Sequence, residues 1–132
     1  MEEALRQLLT SHAPLTALVG SRIYWDEIPQ DSARPCIVMF VASSVPGYHQ
    51  QGQDALTPAR VQIDCQAKTT TEKWAVARAV EARLSGYRGT VGAINFSGIF
   101  KTLDRDKTAP DTENNTLRVR QQDYEVWSRA AV

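Results

Sequence analysis

The sequence predicts an α+β fold: a mixed or antiparallel sheet of four to five strands with two helices packed on one face. Three observations carry this. From Arg60 to Lys68 apolar and polar residues alternate, with Val61, Ile63, Cys65 and Ala67 on one side and Arg60, Gln62, Asp64 and Gln66 on the other. That is the period of a strand with one buried face. Immediately afterwards Val76, Ala77, Val80 and Leu84 recur at helical spacing and form one apolar stripe. The whole chain then reads helix, short strand, strand, strand, helix, strand, strand, an order that suits one sheet with its helices on one side. With 132 residues and no internal repeat or linker, residues 1–132 are expected to form a single domain.

Glu2 to His12 reads as the first helix. Leu5, Leu8, Leu9 and His12 share a face, and Glu2 and Glu3 suit the positive end of its dipole. Pro14 breaks or restarts it, and Leu15 to Val19 adds about a turn before Gly20. Arg22 to Tyr24 is a short strand, followed by a polar connection, Trp25 to Arg34. Pro35 opens an apolar strand over Cys36–Ser44, a position where its missing N–H does little harm. Val45 to Leu56 carries Pro-Gly and a further Gly and reads as a loop.

The strand Ala59–Lys68 follows, and then the second helix. Thr69 and Glu72 have capping-box spacing at its start, and Gly86 suits a left-handed cap after Ser85. Gly86 to Gly92 reads as a turn. Ala93 to Leu103 is a strand whose apolar phase shifts around Gly98, which predicts a bulge there. Asp104 to Asn115 (DRDKTAPDTENN) is charged and without periodicity. It is expected to be a loop, mobile in a free subunit and ordered on assembly. Thr116 to Trp127 is the last strand. Leu117 and Val119 lie out of phase with Tyr124 and Val126, so a second bulge is expected near Gln121–Gln122.

Lysine plus arginine equals aspartate plus glutamate, so the net charge is zero. This balance argues against a dedicated nucleic-acid binder. No apolar run reaches the roughly 18 residues of a membrane span, and the acidic, amphipathic start does not read as a signal peptide. Cys36 and Cys65 both fall in strands. They could lie near each other, and the expectation is two buried free thiols.

No catalytic motif emerges. Gly86, Gly89 and Gly92 follow a helix and precede a strand, the reverse of a dinucleotide-binding fingerprint. Ser97 lacks the outer glycines of a nucleophile elbow. A calcium loop starting at Asp104 would place Ala109 where glycine makes the turn and Asn115 where a bidentate glutamate is needed. No cofactor or metal is therefore expected. A small hydrolase or ligand-binding domain would need a pocket with convergent polar groups, and the sequence supplies no such cluster. What remains are aromatic and charged residues suited either to capping a small core or to contacting a partner. The candidates are Trp25, Tyr48, Trp74, Arg78, Glu81 and Trp127, with Asp104, Arg105, Asp106 and Lys107 of the expected loop.

The opening EEALRQLL, followed by LTALVGSRIYWDEIPQDSARPCIVM, resembles the small tail-completion or tail-terminator proteins of long-tailed bacteriophages and gene transfer agents. The shared features are a leading helix, an LVG-x-RIY segment, a P-Q connection and a proline that opens an apolar strand. The block RVQIDCQAKTTTEKWAVARAVEARLSGYRGTVGAINFSGIF and the close LRVRQQDYEVW are similar to the same family. The resemblance implies a non-enzymatic virion assembly protein, forming a ring of typically six subunits on the end of the tail tube. Such a ring stops tube growth and offers the head a docking surface. The implied partners are further copies of the chain, the tail tube protein and head–tail connector proteins. No membrane and no sequence-specific nucleic acid are implied, although DNA has room to pass through the ring. The implied location is the virion tail, assembled in the bacterial host cytoplasm. A head–tail connector or another minor tail protein is the alternative.

Overall fold

The computed structural model describes residues 1–44, 57–110 and 116–130. The expected loop at 45–56, with Tyr48, lies outside them. Among the described residues there are three helices and six strands: α1 (Glu2–Thr10), α2 (Ala13–Val19), β1 (Ile23–Trp25), β2 (Cys36–Ser44), β3 (Thr57–Ala67), α3 (Thr70–Leu84), β4 (Gly89–Val91), β5 (Ile94–Pro110) and β6 (Thr116–Ala130). The strands form one sheet in the order β1-β2-β3-β6-β5-β4. β1 runs parallel to β2, and every other pairing is antiparallel. The α+β class therefore holds, with a mixed sheet, while the expected counts of strands and helices were low.

Two short elements account for the difference. Ala13–Val19 is a separate helix, with Pro14 in its first turn where a missing N–H costs nothing. Gly89–Val91, expected as part of a turn, pairs with Ile94–Phe96, and the Asn95 amide donates to the Thr90 hydroxyl at 2.9 Å.

The core lies between the helices and one face of the sheet. Leu5, Leu8 and Leu9 of α1, Leu15 and Val19 of α2, and Val76, Val80 and Leu84 of α3 pack against Ile37, Met39, Val61, Ile63, Ile99, Tyr124 and Val126. Burying each of the α3 residues is worth about 1.5–3 kcal/mol before entropy. The Thr69 hydroxyl accepts from the Glu72 N–H at 3.2 Å and starts α3 as its spacing predicts. Past the helix end, Gly86 takes φ 77° and its N–H donates to the Ile99 carbonyl at 2.8 Å, which ties the cap to β5. The sheet curls so far that α1 touches both β1 and β4.

Register explains the phase changes in the last two strands. β5 is irregular between Phe96 and Gly98, as predicted, so Phe96 and Ile99 both reach the core. A second irregularity, between Lys101 and Leu103, returns Leu103 to the outer face. β6, by contrast, pairs with β3 without interruption from Ser128 to Arg118, so the bulge expected near Gln121–Gln122 is not there. β6 is a central strand, and both of its faces bury apolar residues. Tyr124 and Val126 face the helices, while Leu117 and Val119 are buried on the other side.

Cys36 and Cys65 are both buried and free. Cys65 stands opposite Ile37, and Cys36 opposite Gln66. The two thiols are thus on neighbouring strands but point to opposite faces of the sheet.

Candidate interaction surfaces

Beyond the apolar stripe of α3, the helix face of β5 and β6 turns from apolar to charged. Even positions of β6 place Arg118 and Arg120 there, and the register opposes Arg120 to Asp106 and Gln122 to Asp104. Arg120 Nε donates to Asp104 Oδ1 at 2.6 Å and Nη1 to Asp106 Oδ1 at 3.0 Å. Lys73, buried on α3, reaches Asp106 at 2.8 Å. Lys101 Nζ lies 2.8 Å from Asp104 and 2.9 Å from Glu81. Three cations and three carboxylates close this network. The Trp74 ring covers it, with the Arg120 guanidinium 4.3 Å from the ring centroid, Lys73 at 5.1 Å and Arg78 at 5.6 Å.

The local electrostatics follow from these contacts. Burial pushes the Asp104 carboxyl up, but hydrogen bonds from Arg120 and Lys101 outweigh it and hold the group below the usual carboxylate range. Hydrogen bonds from Lys73 and Arg120 hold Asp106 low as well. Burial lowers Lys101, yet its bonds to Asp104 and Glu81 leave it raised overall.

This geometry corrects the reading of Asp104–Asn115 as a loop. Asp104, Arg105, Asp106 and Lys107 are strand residues, and β5 continues to Pro110. Their charges alternate across the sheet. Asp104 and Asp106 face α3, while Arg105 and Lys107 lie on the outer face. Arg105 donates to Gln121 Oε1 at 3.3 and 3.2 Å, and Lys107 lies 2.9 Å from Asp64. The acidic pair is thus occupied by protein cations rather than arranged as a cation-binding loop. Among the described residues no group of three or more metal-ligating side chains could hold an ion.

Of the other sequence candidates, Trp74, Arg78 and Glu81 come together with Asp104 and Asp106. Trp25 and Trp127 do not join them. Trp127 lies half-buried on the outer face, where its Nε1 donates to Glu125 Oε1 at 2.6 Å. It stands opposite Gly98, and the Phe100 ring lies over that glycine, so a Cβ there would come within 2.7 Å of the ring. Phe100 is 52% exposed.

Trp25 borders a cleft of about 660 Å³ lined also by Arg6, Glu27, Ile28 and Pro29. Arg6 Nε is committed to the Ile23 carbonyl at 2.9 Å, and the buried Trp25 Nε1 has no protein partner.

Sequence reasoning missed Lys73, Lys101 and Arg120, because their pairing depends on strand register. It also missed Phe100, although the phase shift at Gly98 was the available signal: it places Phe100 on the opposite face from Ile99.

The model of the family described as "Tail completion protein gp17" matches residues 3–129. No curated protein matches. Among solved structures, a chain of the "Virion of native gene transfer agent (GTA) particle" is similar in fold, with a TM-score of 0.73 and 19% identity, covering 98% of this chain and 95% of that one. The match over nearly all of its length shows that the chain belongs to the tail completion protein gp17 family.

Proposed function

We propose that this protein is the tail terminator of a long-tailed phage or phage-like particle, a ring of six subunits seated on the last ring of the tail tube. The family match over residues 3–129 carries the reading, since it supports a structural role in the phage tail. In the proposed role one side of the ring matches the tube end. The other side offers no surface on which another tube ring can add, and instead receives the filled head. The protein acts by shape and charge complementarity and not by catalysis. Its partners are then its own copies, the tube protein and head–tail connector proteins, met in the host cytoplasm during assembly.

A closed cyclic ring uses head-to-tail contacts, so each subunit needs two different complementary patches. The half-buried Trp74 cap on α3, with exposed Arg78 and half-buried Glu81, is one candidate for contact with a neighbour or the tube.

Native mass spectrometry and negative-stain microscopy with purified tubes test the proposal. Rings of defined number that bind tube ends are the expected result. A protein that stays monomeric at high concentration and ignores tube ends would sink it. Binding to portal-bearing heads in place of tubes would reassign it as a connector.

A further inference from the structure

The short outermost strands leave much of the sheet edge uncovered. β1 pairs only with Ile37–Met39 of β2, and β4 only with Ile94–Phe96 of β5. Among the described residues no strand lies along the outer edge of β2 from Phe40 onward, or along the outer edge of β5 from Gly98 onward. A row of unpaired backbone groups is a template for another chain. Val41 and Phe100 are the exposed large hydrophobic residues among those described, and one lies on each of these edges. They also lie at nearly the same level: Val41 is in line with Val61, Tyr124 and Lys101, the residue next to Phe100.

Three antiparallel pairings separate β2 from β5, so the two strands run in opposite directions. A second copy set edge to edge in the same orientation therefore continues the sheet with an antiparallel ladder. Charge favours the same neighbour. Asp26 and Glu27, where the chain leaves β1 beside Met39, are exposed and form no ion pair among the described residues. Arg105, further along the free edge of β5, has among the described residues only a neutral amide oxygen as partner.

We infer that the subunits join through these edges, with Phe100–Arg105 of one copy laid antiparallel along Phe40–Ala42 of the next, and Arg105 meeting Asp26 and Glu27. The inference rests on the ring reading above and supplies its two unlike patches. It assigns the contact to a second copy rather than to the tube.

Cross-linking in assembled rings tests it. Phe40 and Leu103 both stand in line with Gln62 and Asp123 on the outer face, so Phe40→Cys and Leu103→Cys variants are mixed and treated with a short bis-maleimide. Both natural thiols are buried, so the reagent reaches the introduced ones. The mixture is expected to give a covalent dimer, and the double variant a ladder up to the full ring. Separately, Glu27→Arg or Arg105→Glu alone is expected to weaken subunit association about tenfold, and the two together to restore it. Intact rings that give no dimer in the mixture, a Leu103→Cys variant that links to itself, or charge variants that leave association unchanged would overturn the edge contact and leave the ring reading standing. Absence of any ring for the unmodified chain would overturn the ring reading and the edge contact together.

Discussion

The Arg120 guanidinium on β6 lies 4.3 Å from the centroid of the Trp74 ring on α3. It does so while donating to Asp104 and Asp106 of β5. One residue thus binds the sheet to the helix both through charge and through an aromatic face. Trp74→Ala is expected to remove the lid while leaving the ion pairs, at a cost of roughly 0.5–2 kcal/mol in the melting free energy. If Trp74 also contacts a neighbour, ring formation falls further than the melting shift accounts for. A lowered melting temperature with unchanged assembly would confine Trp74 to the subunit.

Acid should unlock this region. Asp104 and Asp106 are held below the ordinary carboxylate range in the folded chain. Their stabilisation is therefore fully present above the unfolded carboxylate pKa and disappears as pH falls through the lowered folded values. Denaturation midpoints should be nearly constant from pH 7 to about 5 and fall below about pH 4. Asp104→Asn should shrink that acid-induced drop, at the cost of lower stability at neutral pH. Urea titrations at several pH values measure both.

Tyr124 supplies a third test. Its hydroxyl, buried in the core, donates to Gln122 Oε1 at 2.9 Å, and Gln122 Nε2 donates to the Ala77 carbonyl at 3.3 Å. Burial pushes the phenol pKa well above its ordinary value, so the group stays a donor. Tyr124→Phe leaves the glutamine oxygen buried without its donor and should cost about 1–3 kcal/mol. Tyr124→Phe with Gln122→Leu should recover part of this loss if the penalty comes from the stranded acceptor.

Gly98 and Phe100 should be energetically coupled. A Cβ at Gly98 meets the phenyl ring at 2.7 Å, so Gly98→Ala must swing the ring aside. Gly98→Ala and Phe100→Ala together should cost less than the sum of the two single changes, by about 0.5 kcal/mol or more in a double-mutant cycle. Strict additivity would show that the ring moves away freely.

Much of this structure was legible because single residues announce it. The alternation in Val61–Ala67 gave β3, Thr69 gave the start of α3, and the phase shift at Gly98 gave the first irregularity of β5. The stretch Asp104–Lys107 defeated the same reasoning. A strand is recognised by an apolar face, and here neither face is apolar. Its charges meet Lys73, Arg120 and Asp64 in ion pairs and Gln121 in a hydrogen bond, all distant in sequence, so the pattern resembles solvated loop until the register is known. The misplaced bulge in β6 has a related origin. One apolar face was assumed, whereas a central strand buries both. The α3 cluster of Trp74, Arg78 and Glu81 could be grouped by helical spacing alone, but the cations beneath the tryptophan could not.

β6 comes after every other described strand, yet it lies in the middle of the sheet, between β3 and β5. A ribosome therefore delivers β1, β2, β3 and β5 before the strand that joins their two halves. Until β6 emerges, the inner edges of β3 and β5 have no partner, and α1 cannot yet bridge from β1 to β4. Contacts this distant in sequence slow folding, and open strand edges invite association with the wrong chain. Completion of the sheet thus waits for delivery of β6. A nascent chain arrested before Thr116 should bind a chaperone or a protease, and it should not compete with finished subunits.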